Sequence, residues 1–166
     1  MRCLVVFYSL TAVTESVALK LGDFLHAETE PIKCETPYGG GFGYLKAAFH
    51  SLIGRDITIL PPKFRPSDYD LVVVGGPIWA GRIAPPVRTY LQQYHGHFKN
   101  VAHFVTHGGS SPARAFKQME MIGGQPPIAT VAIREKHVVQ EQYELAVRQF
   151  ADKLRKELGQ NHQHVA

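Results

Sequence analysis

Short continuous apolar runs alternate along the chain with longer stretches of helical spacing. Cys3 to Tyr8 is a β-branched and aromatic run that ends at Ser9-Leu10-Thr11, the form of a strand buried on both faces. Val17, Leu21, Phe24 and Leu25 then recur at helical spacing, with Glu15 near the start, where the helix dipole favours an acid. Glu28 to Lys33 reads as a short strand, and Pro31 inside it predicts an edge position. After Gly39-Gly40-Gly41, the stretch Phe42 to Ile53 places Leu45, Phe49, Leu52 and Ile53 on one helical face. Pro61, Pro62 and Pro66 make Gly54 to Ser67 a connecting loop.

Asp70 to Gly75 is the cleanest buried strand, predicted to be central and to end at the turn signal Gly76-Pro77. Pro85 and Pro86 suit the opening of a helix with Val87, Tyr90, Leu91 and Tyr94 inward. Val101 to Thr106 is a fourth strand with His107 to Ser111 as its loop. Pro112 to Ile122 is a helix stopped by Gly123-Gly124, and Ile128 to Ile133 is a fifth strand. The last helix carries Tyr143, Val147, Phe150, Leu154 and Leu158 on one face, and Asn161 to Ala166 reads as a frayed tail. Strands alternating with helices in this way predict an α/β fold, a parallel sheet covered on both faces by right-handed crossovers. The expected organisation is one domain over residues 1–158 and a flexible tail over 159–166.

Composition agrees: 166 residues with 45% hydrophobic content can bury a core without metals or disulfides. The apolar runs Leu4 to Phe7 and Leu71 to Val74 are far shorter than the roughly 20 residues of a membrane-spanning helix. Cys3 begins one strand and Cys34 lies past the next, too far apart for a disulfide, and two free thiols fit a cytoplasmic location. The net charge of +4 is scattered: Lys136, Arg148, Lys153, Arg155 and Lys156 interleave with Glu141, Glu144, Asp152 and Glu157. No nucleic-acid-binding motif accompanies it, so nucleic acid is not an expected partner. His162 and His164 lie in the tail and make no expected metal site.

An open parallel sheet usually binds its ligand outside the strands' carboxyl ends, so the candidate chemistry is sought in the loops there. Ser9-Leu10-Thr11-Ala12-Val13-Thr14 offers three hydroxyls and unpaired N–H groups at a helix N-terminus. It reads equally as a phosphate site or as an ordinary cap with Thr11 or Thr14 as N-cap. It has no Lys or Arg and no Gly-x-x-x-x-Gly-Lys, which excludes an ATPase or GTPase loop. In Gly76-Pro77-Ile78-Trp79-Ala80-Gly81-Arg82, a tryptophan near glycines is expected near the surface, where its face would stack on a flat ring. A packed Trp79 is the other reading. Thr106-His107-Gly108-Gly109-Ser110-Ser111 has paired glycines that let backbone N–H groups approach a ligand, or form a plain turn with His107 exposed to solvent.

Phe7 to Glu15 resembles the FMN-phosphate loop of the flavodoxin family, usually Ser/Thr-x-Thr-Gly-x-Thr. Tyr69 to Gly81, followed by Pro85-Pro86-Val87-Arg88, resembles that family's isoalloxazine loop and its following helix. The resemblance runs from Met1 to about Leu158. It implies a flavodoxin-like doubly wound sheet of order 2-1-3-4-5 and FMN as cofactor. By resemblance, Ser9, Leu10, Thr11, Ala12, Val13 and Thr14 would hold the phosphate. Pro77, Ile78, Trp79, Ala80, Gly81 and Arg82 would line one side of the flavin, and Thr106, His107, Gly108, Gly109 and Ser110 the other.

Two departures matter. Ala12 stands where the family usually has glycine, and the third loop lacks the aromatic residue that many electron carriers place against the flavin. With a basic rather than acidic chain, these shift the expectation toward an oxidoreductase taking hydride from NAD(P)H and passing it to a small acceptor such as a quinone. A non-enzymatic electron carrier and a flavin-free binding domain are the alternatives. The expected partner is a small-molecule or protein redox partner, with homo-oligomerisation left open. Arg55, Lys63 and Arg65 read as a solvated loop ahead of a nicotinamide-phosphate contact.

Overall fold

The computed structural model describes residues 1–35 and 57–163; the expected helix Phe42 to Ile53 lies outside them. The strands are β1 (Cys3–Phe7), β2 (Glu28–Pro31), β3 (Leu71–Trp79), β4 (Arg82–Ile83), β5 (Val101–His107) and β6 (Thr130–Arg134). The helices are α1 (Val13–Leu25), α2 (Pro85–Gln93), α3 (Ala113–Gly123), α4 (Glu135–Val139) and α5 (Glu144–Gln163). The strands run β2-β1-β3-β5-β6, all parallel, with β4 folded back antiparallel on β3. With the two-residue β4 set aside, this is the expected 2-1-3-4-5 order, and Pro31 sits in the edge strand as predicted.

Alternation along the buried strands divides the core in two. Leu4, Val6, Val72, Val74, Val101 and Val105 face one side, where they meet Val87, Tyr90 and Leu91 of α2 and Ala115 and Met119 of α3. Cys3, Val5, Phe7, Leu71, Val73, Ala102 and Phe104 face the other, against Val17, Leu21 and Leu25 of α1 and Val147, Phe150, Leu154 and Leu158 of α5. Continuous apolar runs are needed because both faces are covered. The winding direction reverses between β1 and β3, and an open sheet of this kind leaves a crevice outside the carboxyl ends of those two strands.

Several boundaries differ from the sequence reading: β2 ends at Pro31, β5 runs on to His107 and β6 spans Thr130–Arg134. β3 does not stop at Gly76-Pro77; it runs on to Trp79, all nine residues buried. Pro77 has no N–H to donate to the ladder, and its carbonyl accepts the Ala84 N–H at 3.1 Å where the chain folds back in the hairpin. α4 is an additional short helix that holds Lys136, and α5 continues past Asn161 to Gln163.

His103 has the same β5 parity as Val101 and Val105 and is fully buried, and neither ring nitrogen finds a partner among the described residues. Burial pushes its pKa down to about 4, from 6.5. The folded protein thus holds a neutral imidazole, while the unfolded chain takes up a proton near pH 6.5. Stability is full above that pH and is lost as pH falls from 6.5 toward 4, by up to about 3 kcal/mol. His103→Leu is expected to flatten this acid limb in urea titrations across pH. A variant losing stability as steeply as the parent would contradict it.

Candidate functional site

The carboxyl ends of β1, β3 and β5 open onto one edge through residues 8–12, the β3–β4 turn and residues 108–112. The first segment is anchored where it leaves the sheet: the Tyr8 N–H donates to the Gly75 carbonyl at 3.1 Å, and Phe7 accepts the Ile32 N–H at 2.7 Å. Neither Thr11 nor Thr14 is the N-cap. The cap position is Ala12, in the left-handed region at φ 62° and with no side-chain cap. This turn folds Ser9 back over the helix, so that its Oγ accepts the Glu15 N–H at 3.1 Å. Ser16 donates to the Ala12 carbonyl through both its N–H, at 2.9 Å, and its Oγ, at 3.1 Å. Thr11 and Ala12 are exposed, and Ser9, Leu10 and Val13 are half-buried around the N-terminus of a helix of 13 residues. Its first-turn N–H groups and dipole favour an anion there.

Thr14 belongs to the same loop but turns inward. Its Oγ1 lies 2.7 Å from Oγ1 of Thr106, and both residues are buried. Sequence reasoning placed the two hydroxyls beside a ligand; the structure uses them on each other, clipping the first segment to the last turn of β5. Nothing in their spacing of 92 residues gives this away.

The second segment is a hairpin. Trp79 pairs with Arg82 and Ile78 with Ile83, leaving Ala80 and Gly81 as a two-residue turn with φ 48° and 74°. Positive φ at both central positions is the sign pattern that matches strand twist and favours Asn-Gly. Ala80, like Ala12, therefore carries left-handed strain. Trp79 is not near the surface as expected. It is 4% exposed because β3 extends to include it, and its ring meets Tyr8 edge-on, centroids 5.7 Å apart at 88°. What the turn presents outward is exposed Ala80 with half-buried Gly81 and Arg82, and the Arg82 Nε is enclosed without an acceptor among the described residues.

His107 also departs from expectation. It is the last residue of β5 rather than an exposed turn residue, 7% exposed, with Nδ1 unpartnered among the described residues. Burial first, and then the Arg134 guanidinium, hold its pKa below the ordinary imidazole range, so it is neutral at physiological pH. Gly108, Gly109, Ser110 and Ser111 after it are exposed.

These parts fit a ligand with a phosphate at one end and a flat, heteroatom-bearing ring at the other. The α1 N-terminus favours an anion, and the Arg82 Nε and His107 Nδ1 are buried without a hydrogen-bond partner among the described residues. Among the described residues, no group of three or more His, Cys, Asp or Glu side chains is placed to hold a metal.

A profile of the flavodoxin family matches residues 2–143, and the chain belongs to that family. Flavodoxin is itself a standing example of an open sheet that holds its ligand in that crevice. Among solved structures, the chain is similar to a flavoprotein in complex with FMN from Lactobacillus acidophilus NCFM, with TM-score 0.69 and 22% identity over 85% of this chain and 97% of that one. It is similar to a candidate flavoprotein from Bacteroides uniformis, with TM-score 0.74 and 19% identity over 91% and 97% of the two chains. Oxidised flavodoxin 2 from Bacillus cereus gives TM-score 0.55 and 15% identity over 95% and 99%. Comparison with curated protein sequences finds no match.

The strain at Ala12 yields a direct expectation. Alanine in the left-handed region costs about 1–2 kcal/mol, and glycine pays no such penalty but gives back part of the gain as chain entropy. Ala12→Gly is expected to raise thermal stability by about 2–4 °C if the turn has this form without ligand. If the free loop instead relaxes away from it, the gain moves into FMN affinity, by up to about tenfold. Melting curves and FMN titration of the variant that show neither gain would contradict this.

Proposed function

We propose that this flavodoxin-family chain binds FMN at the β1, β3 and β5 edge and serves as an oxidoreductase, passing hydride or electrons from NAD(P)H to a small acceptor such as a quinone. The observation that carries the reading is the convergence of three segments at the point where the sheet's winding reverses, with the N-terminus of α1 among them. Bound FMN would supply the two-electron chemistry itself. The chain's own residues hold and shield it. The turn at Ala12 aims the first-turn N–H groups at the phosphate, and the Thr14–Thr106 clip fixes that loop against β5. His107, neutral and with Nδ1 unpaired among the described residues, provides a hydrogen-bonding group at the ring side, and Arg82 provides a cationic one.

Enzyme rather than carrier is favoured by the third segment, where exposed Gly108, Gly109 and Ser110 offer no ring to cover the flavin and leave a face for a substrate. Cytoplasmic location belongs to the same proposal, supported by two free cysteines. The test is turnover by purified FMN-loaded protein. Oxidation of NADH or NADPH that depends on an added quinone supports the enzyme. A bound flavin spectrum without turnover favours the electron carrier, and a chain that takes up no FMN rejects both.

A further inference from the structure

One cationic feature lies beside this edge and shares only Arg82 with the FMN loops. The β3–β4 hairpin packs against α3, and between them runs a groove of about 370 Å³ lined by Arg82, Arg114, Lys117, Gln118, Met121 and Ile122. Three cations face one concavity, and none of them takes part in an ion pair among the described residues. Gathering like charges costs energy unless an anion joins them, and two of the three are arginines, whose planar fork suits phosphate oxygens. The Arg82 Nε is enclosed and has no acceptor among the described residues.

The rest of the lining is apolar. Met121 is 70% exposed, one of the most exposed large hydrophobic side chains among the described residues, and Ile122 lies half-buried beside it. A thioether next to an open groove packs well on an aromatic face. Gln118 is fixed between the two elements, its Oε1 accepting the Ile83 N–H at 3.2 Å. Cations at one part of a groove and an apolar ledge at another match a ligand that is itself divided into phosphate and flat base. We infer that this groove holds the adenosine diphosphate moiety of the dinucleotide reductant, Arg82, Arg114 and Lys117 taking the diphosphate and Met121 packing on the base. The identity of the whole ligand rests on the NAD(P)H reading above; the nucleotide affinity of the groove does not.

The experiment uses the FMN-loaded full chain and ADP as probe, followed by calorimetry. Saturable 1:1 binding with Kd below about 1 mM is expected. The double variant Arg114→Glu, Lys117→Glu, on exposed positions of α3 outside the FMN loops, is expected to bind ADP at least tenfold more weakly with its flavin spectrum unchanged. Its KM for NAD(P)H should rise similarly, with kcat little altered. Met121→Ser is expected to weaken ADP while leaving inorganic pyrophosphate unaffected. Absence of ADP binding, binding that survives the double reversal, or pyrophosphate binding as tightly as ADP would each overturn the inference. ADP binding that obeys these expectations in a protein without NAD(P)H turnover would uphold the groove and reject the reductase reading.

Discussion

Thr11→Asp is expected to weaken FMN binding roughly 30-fold to several hundred-fold while leaving the fold intact. Thr11 is exposed in the segment that enters α1, and no structural hydrogen bond depends on its side chain among the described residues. An aspartate there gains from the same helix terminus that would stabilise a phosphate, so the protein itself is not expected to lose stability. For the ligand the effect is repulsive. Two charges about 4 Å apart interact by ~4 kcal/mol at an effective dielectric of 20, and solvent exposure reduces this toward ~2 kcal/mol. Equal melting temperatures for variant and parent, with FMN affinity also equal, would remove the phosphate from the α1 terminus.

Gly75→Ala is expected to destabilise the fold by about 3 kcal/mol and to disturb the site with it. A Cβ on Gly75 would lie 2.1 Å from the Phe104 ring, which sits directly across the sheet in register with it. Phe104 is fully buried against the α1 side of the core and has nowhere to move without displacing its neighbours, so overpacking falls at the upper end of its usual cost. The Gly75 carbonyl also accepts the Tyr8 N–H that fixes the start of the segment leading into α1, so the strain passes to that segment. Denaturant unfolding checks the size of the loss, and a change below about 1 kcal/mol would show that Phe104 has room that the packing denies.

Most of the layout was legible from the residues because both faces of the sheet are covered. Leu71 to Val74 is apolar without alternation, Val101 to Val105 is broken only by His103, and Val17, Leu21 and Leu25 return at helical spacing, so each element carries its own signature. Local turn signals misled where tertiary pairing overrode them. Gly76-Pro77 looks like a stop, but Val105 and Thr106 of β5 pair with these positions and carry the strand through to Trp79. That extension buries the ring expected at the surface, and the same lengthening of β5 draws His107 inside.

The two left-handed alanines differ in how far the sequence exposes them. Ala12 stands out only against the glycine of the flavodoxin pattern, and its φ of 62° makes that departure a physical cost. Ala80 had no such marker; its strain follows from the two-residue hairpin, which the sequence hides because β4 is too short to carry a strand pattern. The Thr14–Thr106 clip and the grouping of Arg82 with Arg114 and Lys117 are distant in sequence and arise only once α1 meets β5 and β4 meets α3.

Fluorescence titration of apoprotein with FMN is the direct test of an FMN site on the β1, β3 and β5 edge. Saturable quenching at one FMN per chain is expected, with the break lost or shifted to much higher FMN in Thr11→Asp. Flavin fluorescence that stays unquenched through a stoichiometric excess of folded apoprotein would contradict it.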